Sequence, residues 1–440
     1  MANKLNRKYP KVLIISHNPF SVQNNGKTLA ALFKHWDIHS LAQLYLTTDI
    51  PEFSICNKYF QLHDMDIIKK VLLMKHVQGR RVTDIELSEI KSFKTKIVNS
   101  EVLKLLRNNN IPLFQLIRDL LWDIAGYKTR ELTNFVDDFN PQIVFFHSSY
   151  GAYAFSLVKW ICRKRNIPLI MQTTDDYVSG KLTLDPFFWI QHYRIKNAYK
   201  WAVGYSDCIV AIGDKMAKEY RCRFGGKYFV AMNSMNENPL PEHAHANSTI
   251  RFLYAGNLGL NRWKVLSLIG ECIEDLHKEE GLNGELIIYS LAKPGTKALS
   301  LLTRLPFSSF RGSLNTNELD CAKARSDILV HVEAFDRKNR FITRLSISTK
   351  IPEYLASGRC IFAVGPKDVA SMQYLSEYNL GVTVMSDDKA NIKKALKEIM
   401  IDIHMRDRYA KKGIEVAKMR HDADKTAESI YRIISATIDT

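Results

Sequence analysis

A basic residue and an acidic residue stand close together between Ser346 and Pro366, and this stretch is the part of the sequence best suited to chemistry. Lys350 follows Ser348 and Thr349, two residue types that cap helix N-termini. The free N–H groups of a helix start favour phosphate, and the lysine adds a full positive charge. Glu353 follows one turn later and can accept hydrogen bonds from paired ribose hydroxyls. The pattern indicates a site for a nucleoside diphosphate, and an ordinary surface helix is the alternative.

The elements that position this pair follow from the residues at their ends. Pro352 suits the first turn of a helix, and Gly358 suits the residue just past its end. The apolar run Cys360–Val364 then predicts a buried strand, which Gly365 and Pro366 terminate.

A second basic loop begins where the strand Ile250–Ala255 runs into a glycine-rich segment. Gly256 opens this segment, and Arg262 and Lys264 stand near the start of the next predicted helix. Backbone N–H groups of such a loop can bind phosphate, and the basic side chains add charge. Exposed basic residues without a ligand are the alternative interpretation.

A further predicted strand, Asp327–Glu333, carries His331 and Glu333 at its end. The basic segment 334–348 follows it and leads directly into the helix that begins near Lys350. We interpret segment 334–348 as a loop that forms a mobile lid over a bound donor.

The first half of the chain opens with a buried strand, Lys11–Ser16, followed by a loop and a helix that begins near Gly26. The loop does not read G-x-G-x-x-G, so the dinucleotide fingerprint is not supported. Strand-to-helix loops of this kind nevertheless lie beside the ligand in doubly wound sheets. A plain capping turn at Gly26 is the alternative.

Polar residues follow two later strands of this half. His147 ends one predicted strand, and Asp175 and Asp176 follow the next. The carboxyl ends of parallel strands line the ligand crevice of an open α/β sheet. Histidine is the usual general base or hydroxyl contact there. The sequence does not decide between these residues, and each also suits a turn or a helix cap.

The alternation of strands and helices occurs twice, which predicts an α/β protein with two doubly wound, Rossmann-like domains facing a cleft. The first domain comprises residues 1–235 and includes a helical insertion at about 60–130. The second comprises residues 250–420, after a polar linker at 236–249.

Composition narrows the classes of partner. The net charge of +16 favours an anionic partner, such as a phosphorylated substrate, a membrane surface or a nucleic acid. Aromatic RNP motifs and zinc knuckles are absent from the sequence, so we expect no nucleic acid. The seven cysteines include no C-x-x-C pair, which argues against a zinc site or a disulfide framework.

The sequence also bears on location. No apolar run approaches the roughly eighteen residues of a spanning helix, so we expect a cytoplasmic protein. Residues 185–205 form an aromatic and basic helix that suits peripheral contact with the inner face of a membrane. A core helix with a basic solvent-facing side is the alternative.

The run from Ser346 to Pro366 resembles the donor-binding segment of glycosyltransferases with the GT-B fold. It is most similar to glycosyltransferase family 4, whose members build bacterial polysaccharides. That family has two glutamates eight positions apart, the second in an E-x-x-A-x-G context. Glu353, with Ala356 and Gly358, matches the second glutamate, whereas Leu345 replaces the first.

The resemblance implies roles for single residues. Some family members carry S-K before the remaining glutamate, and Thr349-Lys350 is similar to that form. It implies that Glu353 binds the donor ribose and that Lys350, with the helix start, neutralises the diphosphate. In the family, a basic pair in the glycine-rich loop holds the donor diphosphate. Asn257 replaces the usual arginine of this pair, so only Arg262 or Lys264 is expected to take the role.

Other expected roles are less specific. Gly26 loosely resembles the glycine of the first GT-B loop, and Glu333 is a candidate substitute for the absent first glutamate. The family's usual histidine is missing at 173–176, so Asp175, Asp176 or His147 is expected beside the reacting sugar. The resemblance also implies that residues 421–440 form a helix that returns to the first domain.

The function implied by the resemblance is transfer of a sugar from a nucleoside diphosphate sugar to a hydroxyl of a glycan or lipid-linked acceptor. Retention of configuration and a role in cell-surface polysaccharide synthesis are expected, with no metal or other cofactor. The alternatives are a GT-B-fold nucleotide-sugar epimerase and a degenerate member that only binds nucleotide. The sequence leaves the donor base, the sugar and the acceptor open.

Overall fold

The computed structural model describes residues 7–21, 26–73, 79–84, 111–181, 183–235, 249–292 and 295–439. The chain forms two compact units, one of Met1–Ala231 with Ala423–Thr440 and the other of Met232–Asp422. Each unit contains its own parallel sheet with helices between the strands, which confirms the predicted pair of doubly wound α/β domains. Of the predicted linker, residues 236–248 lie outside the described residues.

The strands are β1 (Val12–Ser16), β2 (Leu41–Tyr45), β3 (Tyr59–Gln61), β4 (Arg80–Val82), β5 (Ile143–His147), β6 (Leu169–Thr173), β7 (Ser206–Ala211), β8 (Tyr228–Val230), β9 (Ile250–Ala255), β10 (Gly284–Tyr289), β11 (Ser308–Phe310), β12 (Ile328–Val332), β13 (Cys360–Val364) and β14 (Val382–Val384).

The helices are α1 (Gly26–Leu32), α2 (Asp64–Leu73), α3 (Pro112–Ala125), α4 (Arg130–Phe139), α5 (Ala152–Arg165), α6 (Pro186–Tyr205), α7 (Asp214–Phe224), α8 (Arg262–Glu280), α9 (Lys297–Leu302), α10 (Thr316–Ala324), α11 (Arg337–Thr343), α12 (Ile351–Ala356), α13 (Ala370–Glu377), α14 (Lys389–Ile401), α15 (Ile403–Arg420) and α16 (Ala423–Ile438). A short 3-10 helix also spans Ile38–Ser40.

Within the described residues, the sheet of the first unit has eight strands in the order β4-β3-β2-β1-β5-β6-β7-β8. Neighbouring strands pair in parallel except β3 and β4, which are antiparallel. The central strands β1, β2 and β6 are buried along their whole length. Such strands read as continuous apolar runs because helices cover both faces of the sheet. Helix α16 packs against α1 within this unit.

In the part of the second unit that the structure describes, the sheet has six strands in the order β11-β10-β9-β12-β13-β14, all parallel. The buried face of α8 packs on this sheet through residues such as Leu266, Ile269 and Ile273. Their helical spacing gives the apolar stripe that a surface helix buries. Because the strands are parallel, the carboxyl ends of β9, β12 and β13 lie together on the same side of the sheet.

Two sequence-based interpretations need correction. The predicted helical insertion at about 60–130 also contains strands, because β3 joins β2 and β4 joins β3. Runs of three residues are too short for periodicity to reveal, and residues 85–110 of the insertion lie outside the described part of the chain. Segment 334–348 is not a loop throughout, since it contains α11, which Asp336 caps through the Asn339 N–H.

Candidate active site

The turn between β9 and α8 forms one wall of a charged site in the second unit. Leu260 and Asn261 take left-handed backbone conformations, with φ of 54° and 59°, and this makes Arg262 the first residue of α8. The Asn261 side-chain amide donates to Asp336 at 3.0 Å. Burial alone would raise the pKa of Asp336, but hydrogen bonds from Asn261 and Asn339 outweigh burial and lower that pKa below its usual value. These contacts join the turn to the start of α11.

Lys350 lies directly over Gly256. A Cβ atom built on Gly256 would stand 1.8 Å from the Lys350 Nζ atom, so a larger residue at position 256 would displace the lysine. The ammonium also lies 5.2 Å from the centre of the Tyr254 ring. The Tyr254 hydroxyl donates to the Asn257 carbonyl at 2.7 Å. A glycine is therefore needed here to admit a side chain from a distant part of the sequence.

Arg262 and Glu333 form a buried ion pair beside this lysine. The guanidinium contacts the carboxylate at 3.0 to 3.3 Å through its Nε and Nη2 atoms. Only 4% of the Glu333 side chain is exposed, against 21% for Arg262. The His331 Nε2 atom is 3.7 Å from Glu333 and has no hydrogen-bond partner among the described residues. Arg262, Lys350, Glu333 and His331 together form what we call the cation cluster.

The electrostatics of the cation cluster are set by burial. Burial lowers the pKa of Lys350 to about 8, with Arg262 acting in the same direction and Glu333 and Glu353 opposing it. Burial also lowers the pKa of His331 to about 3, so this imidazole is neutral near pH 7. Burial raises the pKa of Glu333, although Arg262 and Lys350 oppose the rise. Lys350 and Arg262 thus carry positive charge where water solvates it poorly. A bound anion would offset this desolvation cost.

The start of α12 differs from the predicted cap. Lys350 occupies the N-cap position, whereas the sequence favoured Ser348 or Thr349. The reason is a tight turn in which the Ile351 N–H donates to the Ser348 carbonyl at 3.2 Å. The Ser348 hydroxyl oxygen lies 3.5 Å from the Lys350 backbone nitrogen, and Thr349 is exposed. Ser348 therefore stays next to the lysine, although it does not cap the helix.

Glu353 and Lys264 lie at the margin of the cation cluster. Glu353 is half-buried on α12, and its carboxylate is 3.9 Å from the Lys323 ammonium. Lys323 also pairs with Asp320 at 2.7 Å. Lys264 is exposed, with its ammonium 5.8 Å from the centre of the Trp263 ring. Of the two basic candidates in this turn, Arg262 is the one that contacts Glu333.

The first unit places His147 and Gln172 side by side at the ends of β5 and β6. The His147 Nδ1 atom is 2.8 Å from the Gln172 side-chain oxygen. An amide oxygen only accepts hydrogen bonds, so Nδ1 carries the proton and Nε2 keeps a free lone pair. Burial lowers the pKa of His147, although Gln172 and Asp175 oppose the shift, and the imidazole is neutral. We call His147 and Gln172 the imidazole–amide pair.

The other candidates of the first unit have different surroundings. Asp175 is exposed and accepts a hydrogen bond from Tyr177 at 3.0 Å, whereas Asp176 accepts one from the buried Tyr220 at 2.7 Å. Gly26 is buried at the start of α1, where an added Cβ would lie 2.3 Å from the Pro19 carbonyl oxygen. Close backbone packing thus accounts for glycine at this position.

Sequence reasoning missed Gln172 and Tyr254, and it gave no role to His331, which it placed at the end of a predicted strand. Gln172 and His331 each follow three apolar residues in a buried strand, and a polar side chain at such a place is the signal that indicates their roles. Tyr254 gave no signal, because a tyrosine in a buried strand is unremarkable until its hydroxyl partner is known.

Two searches confined to the described residues gave negative results. No group of three or more His, Cys, Asp or Glu side chains in the described part of the chain is arranged to hold a metal ion. None of the helices there combines the length and the apolar character needed to cross a membrane.

Comparison with known proteins identifies the fold. No protein-family model and no curated protein matches this sequence. Solved structures match over nearly the whole chain. Anabaena HepE, solved with UDP, has a TM-score of 0.60 at 12% identity and covers 97% of this chain and 100% of its own. Sucrose-phosphate synthase from Thermosynechococcus elongatus gives 0.59 at 12% identity, covering 97% and 99%.

A glycosyltransferase from Rickettsia africae has a TM-score of 0.58 at 12% identity, and the match covers 98% of this chain and 99% of the other. These structural neighbours are GT-B glycosyltransferases. The two parallel-sheet units of this chain therefore have the α/β fold that GT-B glycosyltransferases share.

Proposed function

We propose that this protein is a glycosyltransferase that transfers a sugar from a nucleoside diphosphate sugar to a hydroxyl group. The observation that carries the proposal is the cation cluster, in which Lys350 lies over the glycine-rich turn at Gly256 and beside Arg262. The shared fold supports it, because HepE was solved with UDP and with UDP-glucose.

The cation cluster is suited to stabilise a leaving nucleoside diphosphate. When the bond between the sugar carbon and the phosphate oxygen breaks, negative charge develops on the diphosphate, and fixed cations at that position lower the barrier. Lys350 and Arg262 would supply this charge, which is worth more in a partly desolvated site than in water. We propose that these two side chains take the part that a divalent metal plays in other phosphate sites.

Two carboxylates would orient the donor. Glu353 is half-buried and one turn into α12, where it would accept hydrogen bonds from the ribose hydroxyls. The position of the family's first glutamate is Leu345, which is fully buried in the second unit. Glu333 lies within the cation cluster and is the carboxylate available to contact the transferred sugar in its place.

The imidazole–amide pair would serve a hydroxyl. With Nδ1 donating to Gln172, the His147 Nε2 atom can accept a hydrogen bond from a hydroxyl, or its proton during transfer. A neutral histidine with a lowered pKa is suited to this task near pH 7. We favour His147 over Asp175 and Asp176, because a tyrosine hydroxyl already donates to each aspartate.

The finer features of the proposal rest on the resemblance to glycosyltransferase family 4. They are retention of configuration at the transferred carbon, a glycan or lipid-linked acceptor, and a role in cell-surface polysaccharide synthesis at the cytoplasmic side of a membrane.

Titration calorimetry with UDP, GDP, ADP and CMP would test the donor site. We expect one nucleoside diphosphate to bind and to raise the melting temperature by mass action. Lys350→Ala should strongly weaken this binding, whereas Lys264→Ala, which removes an exposed lysine from the first turn of α8, should leave it intact. Binding of none of the four, or equal binding by wild type and Lys350→Ala, would contradict the proposal.

Product analysis then separates transfer from the alternatives. The purified protein would be incubated with the sugar nucleotide of the base that binds, with and without simple glycoside acceptors. Release of free nucleoside diphosphate together with a glycosylated acceptor supports transfer. Acceptor-independent conversion of the sugar nucleotide to an isomer would instead indicate an epimerase.

A further inference from the structure

Helix α3 in the first unit exposes an apolar face. Ile117, Leu120 and Ile124 recur at spacings of three and four residues, and they are 36%, 40% and 72% exposed. The opposite face of the same helix is buried and carries apolar residues as well, among them Leu116 and Trp122. A surface helix of a globular protein normally carries its apolar residues on the side toward the core, whereas α3 carries them on both sides. The outer face of α3 is therefore built to contact something other than water.

Helix α6 exposes a similar face. Phe187, Ile190 and Tyr193 recur every three residues and are 40%, 48% and 67% exposed, and Trp189 beside them is 44% exposed. The helix is held in the core by its other side, including Ile195. Its outer side is thus aromatic and apolar over the first two turns.

The two helices pack directly against each other, so their outer faces belong to one surface. At the buried side of the contact, the Gln191 amide donates to Asp119 at 2.7 Å. Nearer the surface, Arg194 pairs with Asp123 at 2.5 Å. We call the combined set of Ile117, Leu120, Ile124, Phe187, Trp189, Ile190 and Tyr193 the two-helix face. Apolar side chains gathered in this way mark an interaction surface.

The charges around the two-helix face are positive. Helix α6 carries Arg194, Lys196 and Lys200 and no acidic residue. Asp123 on α3 is already paired with Arg194, which leaves the two lysines to act on a partner. Tryptophan and tyrosine beside lysine are typical of segments that lie in a lipid headgroup region, where long basic side chains reach the phosphates.

We propose that the two-helix face docks on an anionic lipid bilayer, with its apolar side chains inserted at the boundary between headgroups and acyl chains. A second copy of the chain is a poorer partner, because symmetric contact through α6 would bring like charges together. The net charge of +16 for the whole chain acts in the same direction as the local lysines. This inference does not rest on the proposed sugar transfer.

Vesicle flotation of the full-length protein tests the proposal. The probes are phosphatidylcholine vesicles and the same vesicles enriched in phosphatidylglycerol. We expect the wild-type protein to float preferentially with the anionic vesicles. Leu120→Asp/Ile190→Asp should bind these vesicles at least roughly tenfold more weakly than wild type. Ile401→Asp is the matched control, because Ile401 is 59% exposed on α14 of the second unit and should not affect binding. Circular dichroism and the melting temperature would establish that each variant is folded.

Charge and insertion are measured separately. Lys196→Glu/Lys200→Glu should abolish the preference for anionic vesicles, whereas Lys411→Glu/Lys418→Glu on α15 should retain it. Vesicles should shift tryptophan emission to the blue in wild type and much less in Trp189→Phe, since Trp189 is the tryptophan of the two-helix face.

The proposal is wrong if wild type floats with neither kind of vesicle, or if Leu120→Asp/Ile190→Asp floats like wild type. It is also wrong if wild type is a dimer in solution that these two substitutions dissociate. Hydrogen exchange would detect coverage by another segment of this chain: strong protection of the outer face of α3 and α6 without vesicles, unchanged by their addition, would exclude membrane docking. Because these readouts measure binding alone, failure of the proposed transferase activity would leave them unaffected.

Discussion

The cation cluster and the imidazole–amide pair lie at equivalent places in two similar sheets, but the first consists mainly of charged side chains and the second of neutral ones. Both stand at the carboxyl ends of parallel strands, where open α/β sheets bind ligands. The cation cluster of the second unit is charged and partly desolvated, whereas the pair in the first unit is neutral. A leaving diphosphate needs fixed positive charge, and a hydroxyl needs a neutral acceptor. The comparison indicates that the fold supplies the location and the side chains supply the chemistry.

Replacing Lys350 of the cation cluster should have the largest effect on activity. We expect Lys350→Ala to lower kcat for sugar transfer by roughly 10²- to 10³-fold, the usual cost of losing one group that stabilises developing charge. Steady-state kinetics with the donor identified by calorimetry would measure this. Lys264→Ala should change kcat less than about twofold, because a cation outside the cluster lacks the desolvated setting. A comparable loss in both variants would mean that overall positive charge matters and the cluster does not.

Gly256→Ala should weaken nucleotide binding by roughly tenfold. The new methyl group would displace the flexible end of Lys350, and its next neighbour is the Tyr254 hydroxyl oxygen at 2.9 Å, which belongs to a side chain and not to the backbone. Calorimetry on a double-mutant cycle with Lys350→Ala checks the mechanism, because the double variant should bind no more weakly than Lys350→Ala alone. Gly204→Ala is the control for a glycine substitution, since an added Cβ there meets no atom within 4 Å. Fully additive losses would contradict the assigned contact.

Gln172→Glu should make the first site resemble the second. A carboxylate beside Nδ1 raises the pKa of His147, and the resulting imidazolium donates from both nitrogens and accepts from neither. We expect kcat to fall roughly tenfold near pH 6 and to recover as the pH rises. A pH–rate profile measures this, with nucleotide affinity expected to be unchanged. A loss that is independent of pH would indicate a structural role for Gln172.

The smallest expected effect is the pH dependence of nucleotide binding. The affinity should fall severalfold as the pH rises through about 8, because Lys350 then loses its proton. Calorimetry between pH 7 and 9 would follow it, and Lys350→Arg should remove the dependence because a guanidinium stays charged.

The stability of the ligand-free protein should change in the opposite sense. An unfolded lysine keeps its proton up to about 10.5, so between about 8 and 10.5 folding releases a proton and is favoured by rising pH.

Much of the fold was readable from the sequence because it depends on local patterns. The apolar runs that became β1, β5, β9 and β13, and the stops at Gly358 and Gly365, are properties of neighbouring residues. Helix α11 was missed because its basic composition is also typical of a loop, and its cap at Asp336 depends on Asn261 of another segment.

The candidate site was only partly predictable, because several of its contacts join segments that are far apart in the sequence. Lys350 and Arg262 were identifiable as cations beside glycine-rich or helix-starting segments. The contact of Lys350 with Gly256 and the pairing of Arg262 with Glu333 join distant segments, and no local pattern encodes them. The exposed apolar face of α3 was missed as well, because a helix with apolar residues on both sides does not reveal which side faces the core.

The ion pair between Arg262 and Glu333 means that the cation cluster contains its own counter-ion. An anion that enters must compete with this carboxylate, so it gains only the difference between its own attraction and that of Glu333. A single chloride or phosphate ion gains little from such an exchange. A diphosphate has enough oxygens to engage Arg262 and Lys350 together. In the donor site that we propose, the pairing would therefore lower the affinity for all anions but favour a diphosphate over the abundant small anions of a cell.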